Sequence, residues 1–174
     1  MNKPAEANMD LYSIDKLMHE TRQLAAKYRK TTGSTLPVTG EISRFDVAKA
    51  LDLQLIDDLT LGYDAIGRGE RKGLRILIKG RVIFEDSRSS PRIGQIKSDG
   101  RWDRVVMVLF DDDYAAVEMH EATSDDIEAA LNTKSDSANK KRGAMSVAQF
   151  KIIGRLVWSR EGGLSPEIWD NHSN

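Results

Sequence analysis

The feature that most constrains the fold is an uninterrupted apolar run near the middle of the chain. Val105, Val106, Met107, Val108 and Leu109 follow one another within the segment from Arg104 to Phe110. A strand that alternates apolar and polar residues keeps one face in water, whereas a continuous apolar run is typical of a strand covered on both sides. The sequence therefore predicts a buried β-strand here.

The segments around this run complete a mixed pattern of helices and strands. Extended segments are predicted at 63–66, 74–84 and 114–121, and the aspartates at 111–113 form a turn before the last of them. Helical spacing is found at 14–28, at 41–51, at 125–131 and after Ser146. The order indicates an α/β (α+β) domain with a mixed, mostly antiparallel sheet of about four strands flanked by helices.

Apolar stripes at helical spacing predict which side chains form the core. On the first helix they are Ile14, Leu17, Met18, Leu24, Ala25 and Tyr28, and on the second Ile42, Phe45, Ala48 and Leu51. The last helix carries Val147, Phe150, Ile153 and Val157, and Thr123 with Asp126 has the spacing of a capping box. We expect Leu17, Leu24, Phe45 and Leu51 to pack on a sheet that contains Ile76, Ile78, Val106 and Val108.

Length and composition exclude several classes of protein. The 174 residues fit one domain, predicted at 11–160 between flexible tails at 1–10 and 161–174. The absence of cysteine excludes disulfides and thiolate-bound metals. No apolar segment approaches the ~18 residues of a membrane span, and the N-terminus lacks a signal core, which predicts a cytoplasmic protein without a membrane partner.

Three polar residues on successive predicted elements form a pattern that suits metal-dependent phosphodiester chemistry. Glu41 begins the second helix, Asp64 opens one strand and Lys79 lies on the next. Carboxylate oxygens bind hard cations such as Mg²⁺, and a lysine can stabilise developing charge or the attacking water.

With these residues in order, the chain resembles an uncharacterised family of small bacterial domains related to the PD-(D/E)xK restriction-endonuclease-like superfamily. The matching pieces are Gly40-Glu41, Gly62–Ile66, Arg75–Lys79, Asp103–Phe110 and Lys140–Ile153. The resemblance implies a nuclease-like, nucleic-acid-binding domain in which Glu41 and Asp64 hold Mg²⁺ and Lys79 is the catalytic lysine.

One position departs from that family's pattern. Leu77, two residues before Lys79, stands where the family has Gln, or Asp or Glu in active nucleases. Leucine cannot bind a metal, so metal-dependent cleavage is predicted to be impaired. Gln95 and Lys97 have the same Gln-x-Lys spacing and are an alternative pair for this role.

A local excess of positive charge accompanies the candidate site. From Arg68 to Arg104 the chain has eleven Arg or Lys and five acidic residues, a local net charge of +6 in a chain of net charge −1. Such a stretch can track phosphates, and an aromatic side chain within it can stack on a base. The predicted nucleic-acid contacts are Arg68, Arg71, Lys72, Arg75, Arg81 and Trp102.

The sequence alone leaves other interpretations of the same residues open. Glu41 is also a favourable first-turn helix charge, Asp64 can orient a turn, and Lys79 can be an edge-strand lysine that discourages aggregation. The chain could then be a non-catalytic interaction module of nuclease-like fold. A third alternative, a helix-turn-helix regulator, would use 43–53 as its first helix, although the acidic segment 54–63 is a poor recognition helix. The sequence leaves the oligomeric state open.

Overall fold

A computed structural model describes residues 5–97, 99–133 and 144–166, with side chains from Ser13 onward. Its main sheet has seven strands in the order β1-β2-β3-β5-β6-β8-β9, and β4 pairs with β7 in a separate small sheet. The strands are β1 Leu53–Leu55, β2 Ala65–Gly67, β3 Arg75–Val82, β4 Arg92–Ile93, β5 Arg104–Phe110, β6 Ala116–Thr123, β7 Met145–Ser146, β8 Arg155–Ser159 and β9 Gly163–Leu164. The α-helices are α1 Ala5–Thr32, α2 Thr39–Leu51, α3 Ser124–Asn132 and α4 Val147–Ile153.

The observed sheet corrects the predicted fold. The α/β class is right, but the prediction of a mostly antiparallel sheet of about four strands is wrong. The sheet has seven strands and is mixed, because β3 and β5 run parallel to each other while the other neighbours are antiparallel. The strands that sequence periodicity missed, β1, β8 and β9, have only two to five residues. Segments this short show too little alternation to be recognised, and pairing with distant strands decides their conformation.

The central strand β5 is buried on both faces, as the apolar run predicted. Val106, Val108 and Phe110 face α1 and α2 on one side of the sheet. Val105, Met107 and Leu109 face α3, α4 and the segment between β3 and β5 on the other. The two sides are called below the α1/α2 face and the α3/α4 face.

Helix α2 lies close against β3 on the α1/α2 face. A Cβ atom at Gly80 would stand 1.7 Å from the Ser43 hydroxyl, so only glycine permits this approach. Ile42, Val47 and Leu51 of α2 are buried against the sheet. This packing fixes the first turn of α2, with Glu41 and Arg44, beside the edge of β3.

The predicted core is correct on the sheet and partly wrong on α1. Ile76, Ile78, Val106, Val108 and Leu51 are buried, and Phe45 is half-buried. Leu17 and Leu24 are instead 55% and 61% exposed. The small residues Ala25 and Ala26 let α1 approach the sheet, and Arg22 binds Asp46 of α2 through both guanidinium Nη atoms. These contacts, with Met18, set the rotation of α1 and leave its larger apolar side chains outside.

Several smaller predictions are settled by the observed elements. The capping box of Thr123 and Asp126 begins α3, and Asp111 organises the β5–β6 turn, both as predicted. Helix α4 ends at Ile153, so Val157 lies on β8 rather than on a helix.

Described elements also lie within the segments predicted as tails and within the segment of the helix-turn-helix alternative. Helix α1 begins at Ala5, inside the tail predicted for residues 1–10. Strand β9 lies inside the tail predicted for 161–174, where Leu164 pairs with Trp158. No recognition helix follows α2, because the described segment after it holds β1 and a single 3₁₀ turn, Leu59–Leu61. The basic residues 140–142 lie outside the described part of the chain.

Candidate functional site

The two predicted carboxylates, Glu41 and Asp64, are linked by an arginine that the sequence analysis did not select. Arg44 lies one helical turn after Glu41 on α2. Its Nη1 is 3.5 Å from Glu41 Oε2, and its Nε is 3.3 Å from Asp64 Oδ1. Its Nη2 also donates a 2.8 Å hydrogen bond to the Ile56 carbonyl. The guanidinium therefore lies between the two carboxylates. Arg44 follows Glu41 by three residues on a predicted helix, and this spacing could have indicated their ion pair from the sequence.

The position of Asp64 follows from the way β2 ends. The pairing of β2 with β3 stops at Ala65 and Ile76. The backbone amide of Ile78, two residues further along β3, therefore has no partner on β2. That amide donates a 2.7 Å hydrogen bond to Asp64 Oδ2. A buried amide without a partner is costly, so Asp64 stabilises the sheet edge in addition to any role in a site.

Burial of Asp64 raises the pKa of its carboxyl group above the ordinary value. Desolvation is the main cause, and the nearby charge of Glu41 acts in the same direction. The hydrogen bond from Ile78 and the charges of Arg44 and Lys79 lower the pKa and partly offset this rise. Glu41, Arg44, Asp64 and Lys79 thus interact electrostatically, and they are called the Asp64 cluster below.

Lys79 is the member of this cluster that lacks a bonded partner. Its half-buried amine makes no hydrogen bond and no ion pair with the residues that the structure describes. Burial lowers the pKa of Lys79, the charge of Lys97 lowers it further, and the charge of Asp64 raises it. Lys79 is therefore near enough to Asp64 to be affected by its charge without being neutralised by a contact.

The side chain of Lys79 opens into a cleft of about 280 Å³ on the α3/α4 face. Leu77 lines the same cleft, as expected for residues two apart on a strand. Gln95 and Lys97, the alternative pair, also line it, together with Arg101 and Trp102. Glu41 and Asp64 are not among the lining residues. The predicted set is therefore divided between a carboxylate–arginine group and an adjacent cleft, called the Lys79 cleft below.

These residues do not fit the magnesium ion that the resemblance implied. Within the described residues, no three Asp, Glu or His side chains are grouped to hold a metal ion. The guanidinium of Arg44 lies between Glu41 and Asp64, and Leu77 offers only hydrocarbon. A hard cation needs several oxygen ligands at about 2–2.6 Å and would have to displace the guanidinium.

Two of the predicted nucleic-acid contacts are buried and cannot serve as predicted. Trp102 is 3% exposed, and its Nε1 donates a 2.8 Å hydrogen bond to the Lys97 carbonyl, so it has no free face for a base. Arg71 is 8% exposed, with its Nε 2.5 Å from Glu121 Oε2. Positive charge and aromatic character in a sequence do not distinguish a buried partner from a surface contact.

The buried carboxylate of Glu121 forms ion pairs with three arginines. Arg104 Nη1 lies 2.5 Å from Glu121 Oε1, and Arg155 Nη2 lies 3.8 Å from the same oxygen. These residues, with Arg71, are called the Glu121 cluster below. They tie β6 to β5, to β8 and to the turn between β2 and β3, which is a structural function.

The other predicted phosphate contacts lie on the surface, and some of them are already paired. Arg75 forms a two-armed ion pair with Asp103, with Nε–Oδ2 and Nη2–Oδ1 distances of 3.1 and 2.9 Å. Arg68 lies near Asp52 and Gln54. Lys72 and Arg81 are exposed. None of these four lines the Lys79 cleft, whose further cations are Lys97 and Arg101, and Arg101 was not among the predicted contacts.

Comparison with known proteins adds no assignment to this geometry. The chain matches no model of a known protein family, and no curated protein is significantly similar to it. Each helix in the described ranges is too short or too polar to span a lipid bilayer. Any function must therefore be argued from the Asp64 cluster and the Lys79 cleft.

Proposed function

We propose that this protein binds nucleic acid by holding a backbone phosphate in the Lys79 cleft, and that it cuts the bound strand little or not at all. The observation that carries the proposal is the half-buried amine of Lys79, which has no bonded partner among the described residues and faces a cleft with two further cations, Lys97 and Arg101. A desolvated lysine without a partner is unfavourable for folding alone. An incoming anion would supply the missing partner.

The charges around the cleft favour an anionic ligand. Arg101 Nε lies 3.3 Å from Asp99 Oδ2, so these two largely offset each other. Lys79 and Lys97 remain without an ion pair among the described residues, and the charge of Lys97 disfavours the charged form of Lys79. A phosphate between two such amines would relieve that repulsion.

The shape of the cleft suits a small charged group. Its volume of about 280 Å³ lies below the ~300–1,000 Å³ of pockets that enclose drug-sized ligands. The hydrogen bond from Trp102 to the Lys97 carbonyl anchors the loop that carries Gln95 and Lys97. The anchored loop would present Lys97 and the Gln95 amide to a phosphate of an extended strand.

The same geometry argues against efficient metal-dependent cleavage. Cleavage of the predicted type needs a cation held by carboxylates beside the lysine. Arg44 lies between those carboxylates, and Leu77 occupies the position from which a third ligand would point into the cleft. Misplacing a nucleophilic water by ~1 Å can cost on the order of 10²-fold in rate.

Binding is tested by fluorescence anisotropy with labelled single-stranded and double-stranded oligonucleotides, titrated at several salt concentrations. We expect wild-type binding at low salt that weakens steeply as salt rises. Lys79→Met and Lys97→Gln should each weaken binding and reduce the salt slope by about one unit, since each phosphate contact contributes about 0.7–0.9 to it. Lys16→Gln removes the same charge from an exposed position on α1 and should change neither quantity.

The results discriminate between the proposal and its rival. Equal effects of Lys16→Gln and Lys79→Met would indicate non-specific attraction and reject the cleft as the site. Absence of wild-type binding at low salt would favour the non-catalytic interaction module.

Cleavage is tested separately with plasmid and oligonucleotide substrates in the presence of Mg²⁺ or Mn²⁺. We expect no cutting by the wild type and none by Leu77→Glu, because Leu77 lines the cleft, whereas Glu41 and Asp64 lie outside it with Arg44 between them. Robust wild-type cutting that disappears in Asp64→Asn would show that the carboxylates do hold a metal and would contradict this part of the proposal.

A further inference from the structure

The longest helix of the protein, α1, leaves an apolar stripe uncovered. Ile14, Leu17, Leu24 and Tyr28 are 42%, 55%, 61% and 38% exposed. Thr21 lies between them and donates its hydroxyl to the Leu17 carbonyl at 2.7 Å, which hides its polar atom within the helix. Single exposed apolar residues are ordinary, but a continuous stripe marks an interaction surface.

The spacing of the stripe specifies the shape of its partner. Residues 14, 17, 21, 24 and 28 alternate steps of three and four, which is the a/d pattern of a heptad repeat. A 3.5-residue period keeps one narrow seam facing a second helix that winds around the first, whereas packing on a sheet needs no such period. The stripe therefore fits another α-helix.

Charges beside the stripe indicate that the second helix is a copy of α1 itself. Glu20 and Lys27 occupy successive g positions next to the seam. Both are exposed, and neither forms an ion pair with a side chain in the described ranges. In an antiparallel pair g positions face g positions, so Glu20 of each copy lies opposite Lys27 of the other. A parallel pair would bring Glu20 opposite the e position held by Ala25, with no charge to meet.

We propose that the protein forms an antiparallel dimer through the α1 helices of two copies. Leu17 of one copy then packs against Tyr28 of the other, and Thr21 packs against Leu24, with the same contacts repeated by symmetry. Two Glu20–Lys27 pairs flank these layers. Such an isologous contact uses one patch twice and closes at the dimer.

The rest of α1 leaves this surface available. Met18, Ala25 and Ala26 face the core of their own copy, and Arg22 and Asp15 bind Asp46 and Lys49 of α2. The stripe lies to one side of these contacts. It is also remote from the Lys79 cleft, which opens on the α3/α4 face, so the dimer does not depend on the proposed function.

Sedimentation equilibrium over roughly 1–200 µM protein tests the dimer directly. Because the stripe covers only two heptads, we expect a dissociation constant on the order of 10 µM. Leu17→Glu combined with Leu24→Glu should weaken association by at least about 50-fold, since it places charges in the seam. Circular dichroism checks that this variant remains folded, as expected for substitutions at exposed positions.

Ile152→Glu is the matched control, because Ile152 is 83% exposed on α4, outside the stripe. It should leave the dissociation constant unchanged. A wild type that is monomeric across the whole concentration range would overturn the proposal, and so would a dimer that survives the double substitution in a folded protein.

Charge exchange tests the antiparallel orientation. Glu20→Lys and Lys27→Glu should each weaken self-association by about 3- to 10-fold, because each replaces two attractive pairs by two repulsive ones. An equimolar mixture of the two variants should associate about as well as the wild type, since a helix with lysine at both g positions then faces a helix with glutamate at both. Failure of the mixture to recover association, with each variant folded, would reject the antiparallel pairing.

Discussion

The Glu121 cluster and the Asp64 cluster are two groups of charges at the sheet, and they differ in how fully they are satisfied. The side chain of Glu121 is 2% exposed, and its two oxygens are taken up by Arg71 and Arg104. In the Asp64 cluster the carboxylate is also occupied, by Ile78 and Arg44, but the amine of Lys79 has no bonded partner in the described structure. In the first group both oxygens of a buried carboxylate hold arginines in place, whereas the second contains a half-buried amine without a bonded partner among the described residues.

A cluster of opposite charges is therefore not by itself a functional site. Charges that neutralise one another inside a protein are hard to redirect, because removing one leaves its partner buried and uncompensated. A charge that the fold desolvates and leaves unpaired is a stronger sign of function. This contrast predicts that substitutions at Glu121, Arg44 and Lys79 affect stability to a decreasing degree.

The largest effect is expected at Glu121. Glu121→Gln leaves the buried Arg71 guanidinium without a counter-charge, so we expect the free energy of unfolding to fall by about 3–5 kcal/mol. Urea unfolding followed by circular dichroism measures the change. Glu85→Gln removes an equivalent charge from an exposed position and should alter stability by less than about 0.5 kcal/mol. A loss below about 1 kcal/mol for Glu121→Gln would mean that the cluster is not a structural joint.

An intermediate effect is expected at Arg44. Arg44→Gln removes the charge that lies between Glu41 and Asp64, so we expect a loss of about 1–3 kcal/mol at pH 7. Without Arg44 the pKa of Asp64 should rise further, because the charge of Arg44 lowers it in the wild type. The loss should therefore shrink as the pH falls and Asp64 becomes protonated. Urea unfolding between about pH 4 and pH 7 tests this, and a loss independent of pH would show that Arg44 acts only by packing.

The smallest effect is expected at Lys79, in contrast to its expected importance for binding. Lys79→Met breaks no described hydrogen bond or ion pair, and it removes a charge that burial disfavours. Stability at pH 7 should therefore stay within about 0.5 kcal/mol of the wild type or increase. The depressed pKa of Lys79 means that the unfolded chain holds this proton more tightly. Wild-type stability should therefore gain a contribution as the pH rises through the depressed pKa towards the ordinary value of 10.5, and Lys79→Met should lack that contribution.

Unfolding of both proteins at pH 7 to 10 checks this difference. A clear destabilisation of Lys79→Met at pH 7 would mean that Lys79 is a structural partner of Asp64. Both clusters would then be structural, and the Lys79 cleft would have no unpaired amine to hold a phosphate.

Features that depend on neighbouring residues could be predicted from the sequence. The apolar run of β5 specified a strand covered on both faces, the spacing of Thr123 and Asp126 specified the start of α3, and the two-residue step from Leu77 to Lys79 placed both on one side of β3. Periodicity and capping act within a few residues, so they can be read without knowledge of the rest of the fold.

Features that depend on distant segments could not be predicted in this way. The tertiary structure extended the sheet with short strands, buried Trp102 and Arg71, placed Arg44 between Glu41 and Asp64, and turned Leu17 and Leu24 of α1 outward. In each case the local pattern suited more than one environment. An apolar helix stripe can face the chain's own core or another helix, and an arginine can bind phosphate or a buried carboxylate. Long-range packing selects among these environments, because it determines which partner lies within reach.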